Sequence, residues 1–293
     1  MSLTVRPVLP PELQLFIIDF IADEKDAPTR RFALARCARV TKFWHRHAIK
    51  RLWEEIYLHI TEENLEHQRV LGILSQILLN PELTTHIRHL WLTMEYAEFH
   101  TAIRPLYANH PDLFALFSFL PPVPKLSLLT YEMLPKDAPP TDGSEFADTS
   151  PMGLALSPLL HSNILTTLRF DGDRFHLNLL AAAPNLSSLE LVDVAMCYQS
   201  PDDMPSKPLP FRLKVGRFYN SWDVVTLLVQ RNLQVFSQLE NLDIRGEGGV
   251  SESEIRQTTM IQLFHTAKDT MKDLSTHIRG QDCNVTIASL LLL

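Results

Sequence analysis

The chain has 293 residues, 45% of them hydrophobic and 21% charged, with a net charge of −7. That is ample apolar material for one large core or two, which excludes a disordered chain. No apolar run reaches the roughly eighteen residues of a membrane span and Met1 to Pro7 has no signal-peptide character, so a protein of the cytoplasm or nucleus with no membrane partner is expected.

Leu9-Pro10-Pro11-Glu12-Leu13 starts a helix: proline is tolerated where the first N–H groups have no partner, and Glu12 faces the positive end of the dipole. Leu13, Phe16, Ile17, Phe20 and Ile21 recur at helical spacing and are expected to face the core. Leu15, Ile18 and Ala22 form a second stripe on another side, left for a partner or for the rest of the chain. After Asp26-Ala27-Pro28 a second pattern turns Ala33, Leu34, Cys37, Val40 and Trp44 inward, among Arg30, Arg31, Arg36, Arg39 and Lys42. A third pattern puts Ile49, Leu52, Trp53 and Ile56 on one side.

In order and spacing this stretch resembles the F-box, in the F-box-like form abundant in mushroom-forming fungi. The matching residues are Leu9, Pro10, Pro11, Glu12, Leu13, Ile17, Ile18 and Ile21, then Leu34, Cys37, Val40 and Trp44, then Leu52 and Trp53. Arg39 and Thr41 depart from the pattern, standing where it usually has Leu and Cys. The resemblance implies a three-helix domain over residues 1–60 that docks on a Skp-family adaptor and, through it, a cullin. It puts Leu9, Pro10, Glu12, Leu13, Ile17, Val40 and Trp44 at the adaptor. Ten Lys and Arg face five Asp and Glu through Trp53, whereas seventeen face twenty-nine beyond it. The basic end suits an acidic protein partner. Nucleic acid is not expected, because Trp44 and Trp53 lie on apolar sides and are not free to stack on bases.

Residues 61–293 read differently. A helix from Asn64 to Asn80 turns Leu65, Val70, Leu74, Ile77 and Leu78 inward and stops at Pro81. A strand phrase, apolar-x-x-apolar-x-apolar, follows at Ile87/Leu90/Leu92 and returns at Leu126/Leu129/Tyr131, Leu165/Leu168/Phe170, Leu186/Leu189/Leu191 and Leu239/Leu242/Ile244. Fainter copies use Leu213/Val215 and Met271/Leu274. Pro-rich inserts, expected to be poor in helix, interrupt the series at 121–158 and 201–210. Helical patterns such as HLNLLAAAPNLSSLEL and DVVTLLVQRNLQVFSQLENLDI precede several phrases. This order is similar to the irregular leucine-rich repeats that often follow an F-box, which implies an α/β repeat solenoid. An ordinary α/β domain with Leu-rich strands is the alternative.

In such a strand the residue between the two final apolar side chains points away from the core. That position gives Trp91, Thr130, Arg169, Glu190, Lys214, Asp243 and Ser275, of which Trp91, Arg169, Glu190, Lys214 and Asp243 are the candidates for holding a target protein. At the C-terminus Leu290 to Leu293 are expected to pack on the last repeat, or else to continue in further chain.

No motif carries chemistry. Cys37, Cys197 and Cys283 make neither a disulfide framework nor a CxxC pair. His45 and His47 point apart on a helix, and His86 and His89 lack partners at ligand spacing, so no metal is expected. Phosphate-binding glycine loops, the nucleophile elbow and the zinc-protease helix are missing, so no cofactor or catalytic set is expected. The reading is a non-catalytic substrate receptor of a cullin-based ubiquitin ligase. Its alternatives are an adaptor-binding scaffold without ligase role, and an enzyme whose site is assembled from residues distant in sequence.

Overall fold

The computed structural model describes residues 9–60, 64–96, 111–132, 151–172, 174–175, 180–196, 208–247 and 253–279. The chain divides into two compact units, Met1–Ile56 with Gln76–Arg88, and Tyr57–Ser75 with His89–Leu293.

In the first unit α1 (Pro11–Ala22), α2 (Ala27–Cys37) and α3 (Lys42–Glu54) pack on one another, and a 3-10 segment, Pro81–His86, packs on α3. Capping fixes where the helices begin. The Asp26 carboxylate accepts the Thr29 N–H at 3.0 Å ahead of α2, and the Thr41 hydroxyl accepts the Trp44 N–H at 3.2 Å ahead of α3. Among the described residues of this unit Ile18, Leu34, Cys37, Ala48, Ile56, Ile77 and Ile87 are buried, a small core for this much chain. Ile56, expected on the third helix, is instead in strand β1 (Glu55–Ile60). The division into units falls after Ile56, inside that strand, and the end of the next helix, α4 (Asn64–Leu79), goes with the first unit.

The second unit is built on β1, β2 (His89–Tyr96), β3 (Lys125–Glu132), β4 (Thr167–Asp171), β6 (Ser188–Val192), β8 (Val215–Tyr219), β9 (Asn241–Glu247) and β10 (Asp273–Arg279), which form one open sheet in that order. Two short strands, β5 (Arg174–Phe175) and β7 (Ala195–Met196), pair separately. Every pairing from β2 to β10 is parallel, and the strands are added in chain order with no reversal. Between them run α5 (Pro111–Phe119), α6 (Pro151–Leu160), α7 (Trp222–Asn232) and α8 (Ser253–Ala267).

One set of hydrogen bonds recurs at each step from β3 to β10. The Pro124 carbonyl accepts Thr166 and Thr167 N–H, Thr166 accepts Ser187 and Ser188, and Ser187 accepts Lys214 and Val215. Lys214 then accepts Glu240 and Asn241, and Glu240 accepts Lys272 and Asp273. This repetition makes the segments equivalent although the intervals between matched residues vary, from 42 for Leu126 and Leu168 to 21 for Leu168 and Leu189.

The register corrects two of the seven strand phrases. Leu126 and Leu128 pair with Leu90 and Leu92, so the β3 phrase is Val123/Leu126/Leu128, three residues earlier than expected. For β8 it is Leu213/Gly216/Phe218. Glycine holds an apolar place there because a Cβ would lie 2.8 Å from the Phe218 ring, which fills the space instead. With these shifts the apolar positions from β2 to β9 are buried throughout.

The stretch 121–158 is not the helix-poor insert expected. It contains β3 and most of α6, and 133–150 lie outside the described residues. Two of its prolines are placed where they cost little: Pro151 opens α6, where a missing N–H has no partner to lose, and Pro124 contributes only its carbonyl, whereas Pro158 lies inside α6. Leu78, expected inward on α4, is exposed, whereas Val70, Leu74 and Ile77 are buried. Residues 201–207 of the second insert, residues 176–179 of the stretch expected to be helical and the Leu290–Leu293 tail also lie outside the described residues.

Candidate functional site

Two surfaces carry the candidate residues, one on each unit. On the first unit α1 is rotated about half a turn from the sequence expectation. Ile18 is the buried residue of the helix at 1% exposure, whereas Phe16 is 67% and Phe20 72% exposed. Leu13 and Ile17 are exposed beside them. Polar neighbours of the inward stripe set the rotation. Gln14 accepts the Trp44 indole N–H, and Asp19 accepts Arg51 Nη2 at 2.7 Å and Nε at 3.0 Å, so both sides of the Ile18 stripe are tied to α3. The broad apolar face is left to solvent.

Of the expected adaptor residues, Leu9, Pro10, Glu12, Leu13 and Ile17 are exposed on or just ahead of α1. Val40 was also expected in the core. It lies in the turn after α2 and is exposed, because the helix ends at Cys37. Trp44 is half-buried, its indole held by Gln14. Phe16 and Phe20, expected in the core, are exposed, as is Phe32, which the pattern did not single out. Cys37 is buried, and burial pushes its thiol up, which keeps it inert.

On the second unit the residues between the buried positions form one row across the sheet: Trp91, Ser127, Arg169, Glu190, Arg217, Asp243 and Ser275. Trp91, Arg169, Glu190 and Asp243 are thus brought together as expected. Thr130 and Lys214 are not in the row. Thr130 pairs with Met94 further along β3, and Lys214 precedes β8 at the place equivalent to Thr166 and Glu240. Ser127 and Arg217 take their positions.

The row is knit to itself. At one end Trp91 stacks on Tyr57 with centroids 5.4 Å apart, and the Arg169 guanidinium lies 5.9 Å from the Trp91 ring centroid. Ser127, beneath them, shares a 2.8 Å hydrogen bond with His89. Arg169 bridges Asp171 at 3.0 Å and Glu190 at 3.2 Å, and Arg217 reaches the other Glu190 oxygen at 3.4 Å. Arg245 grips both oxygens of Asp243 at 2.8 and 2.9 Å, and Tyr219 donates to the same carboxylate at 3.0 Å. Burial pushes the Asp243 carboxyl up, but the hydrogen bonds from Arg245, Tyr219 and Ser275 outweigh it and hold the group below the ordinary carboxylate range. Burial, and then the bond to Asp243, raise the Tyr219 phenol.

A second register line lies where the strands end. Gly172, Asp193 and Asn220 have φ of 147°, 52° and 49°. Asn220 Nδ2 donates to Asp193 Oδ1 at 2.6 Å, and their N–H groups pair with the next strand. Short polar residues and glycine tolerate this left-handed backbone, so the line ends β4, β6 and β8 at the same depth. One signal marked the missed Arg245: opposite charges two apart, as in Asp243/Arg245 and Arg169/Asp171, share a strand face, whereas Arg217 has no such neighbour.

Among the described residues no group of three or more His, Cys, Asp or Glu could hold a metal, and no helix is long and apolar enough to cross a membrane. The F-box-like family model matches residues 7–59, so the chain carries an F-box-like domain there and the sheet lies outside the match. Comparison with curated proteins and with solved structures finds no match. An F-box-like domain implies binding to a Skp-family adaptor and, through it, a place in a cullin-based ubiquitin ligase complex.

Proposed function

We propose that this chain is a substrate-recognition subunit of such a ligase, acting in the cytosol or nucleus. The observation that carries the reading is the exposed apolar face of α1, Leu13, Phe16, Ile17 and Phe20, within the matched residues. A unit with so small a core gains nothing by turning its broadest apolar face to water, and apolar anchors of this kind dominate protein interfaces. That face, with Leu9, Pro10 and Val40, is the adaptor-docking surface. The second unit is read as an irregular leucine-rich-repeat solenoid, a reading supported by strands added in chain order, a recurring apolar phrase and repeated hydrogen bonds at each step. Its outward strand row holds the target. The chain contributes position rather than chemistry, raising the local concentration of a target lysine near a ubiquitin-loaded enzyme.

The test is co-purification. Replacing Leu9 and Pro10 together by Ala abolishes capture of the adaptor while the sheet unit keeps its fold. Undiminished capture sinks the assignment. Capture of the adaptor by the unaltered chain without recruitment of a cullin makes the chain a scaffold instead.

A further inference from the structure

The charges on the sheet face are not equally available. Arg217 and Arg245 are 52% and 54% exposed, whereas their partners Glu190 and Asp243 are each only 18% exposed. The acids lie in the floor and the guanidinium groups stand above them. An arginine has five N–H donors in a planar fork. Arg245 spends two of them on Asp243, and Arg217 one on Glu190. Arg245 is further oriented over the Tyr219 ring at 5.4 Å from its centroid. The remaining donors of both forks are held in place by the acids below. Arg169, a third member two strands before Arg217, is 31% exposed and bridges Asp171 and Glu190, and its Nε–H is buried without an acceptor among the described residues.

We propose that this arginine ridge, Arg169, Arg217 and Arg245, is the recognition element of the sheet face, and that its partner is an extended acidic protein segment presenting alternate carboxylates. The inference rests on reading the sheet as the target-holding part and names the class of target. Glu190 and Asp243 are then positioning residues that set the forks, not contacts of the target. The spacing fits: Arg217 and Arg245 are on neighbouring strands, offset by two residues, and alternate side chains of an extended segment recur about every 7 Å. Carboxylates meet the forks by charge-assisted, bidentate bonds. Because the remainder of the chain beyond Trp53 is acidic, with seventeen Lys and Arg against twenty-nine Asp and Glu, attraction is confined to the ridge and weakens with salt.

The full chain, co-expressed with its adaptor, is titrated into a fluorescent nine-residue peptide with Glu at alternate positions, and into the same peptide with Gln or with phosphoserine there. Anisotropy at low and at physiological salt gives the affinities. The Glu peptide is expected to bind at least about tenfold tighter than the Gln peptide. R217Q and R245Q are each expected to lose about five- to tenfold, with adaptor capture unchanged. Equal binding of the Glu and Gln peptides overturns the proposal, as does binding unaffected by both substitutions. Binding of the phosphoserine peptide alone, or equal displacement by a single-stranded oligonucleotide, overturns the acidic-segment class. Adaptor capture is scored separately with the Leu9 and Pro10 variant, so loss of that reading cannot be mistaken for loss of this one.

Discussion

The two units handle apolar and charged surface in opposite ways. The helical unit buries few residues and exposes its largest apolar face, whereas the sheet unit buries its apolar phrase at nearly every step and exposes a face of ion pairs. The difference separates stability from binding. In the sheet, packing holds the fold and the charged face is free to meet a partner. In the helical unit, the residues with most binding capacity contribute least to the fold.

Breaking the sheet core tests this most directly. Phe218 is 1% exposed and meets Phe236 edge-on, with centroids 6.4 Å apart. Phe218→Ala is expected to cost about 3–5 kcal/mol in denaturant unfolding, because neighbours on both sides are pinned by their strands and cannot fill the space. A loss under about 1 kcal/mol would mean that the sheet is loosely packed and that the comparison fails. The next effect is polar. The buried Val194 N–H donates to the Ser221 hydroxyl at 3.1 Å, and that hydroxyl donates to the Tyr219 carbonyl at 2.8 Å. Ser221→Ala strands a buried donor and is expected to cost about 1–3 kcal/mol by the same measurement.

What the sequence disclosed follows the same division. The strand phrase was legible because period-two alternation and burial agree: Leu168/Phe170 and Leu189/Leu191 fell on their exact register. It slipped where composition misleads. The run Leu126-Ser127-Leu128-Leu129 offers two apolar pairings, and only the partner strands choose between them. At β8 the apolar place is held by Gly216, invisible to a search for apolar residues. The helical unit was legible in its order of elements but not in its rotation, since α1 is apolar on two sides and the choice is made by Gln14 and Asp19 with residues 30 and 32 positions away. Both failures are long-range ties overriding a local pattern.

The ion pairs sharpen the comparison through pH. The Asp243 carboxyl is held below its ordinary value, so it stabilises the fold above the unfolded-state value of about 4 and loses that contribution as pH falls through the lower folded value. Asp243→Asn is therefore expected to destabilise by about 1 kcal/mol at neutral pH. The gap to the unaltered protein closes as pH drops below about 4. A gap that is constant from pH 7 to pH 3 would show that the charge of Asp243 takes no part in the fold.

The smallest expected effect on stability is the most informative about the helical unit. Phe16 and Phe20 lie on the solvent side of α1, so replacing both by Ser removes apolar surface that water already covers. Phe and Ser have similar helix propensities, which leaves little local cost. The double variant is expected to unfold within about 0.5 kcal/mol of the unaltered chain. Its adaptor affinity should nonetheless fall by about three orders of magnitude, since each buried aromatic anchor contributes on the order of 2 kcal/mol at an interface and about 1.4 kcal/mol is tenfold. If stability falls by several kcal/mol instead, these rings are part of a core and α1 is not the docking face. If neither quantity changes, the adaptor grips the Leu9, Pro10 and Val40 end alone, and the rings of α1 face solvent even in the complex.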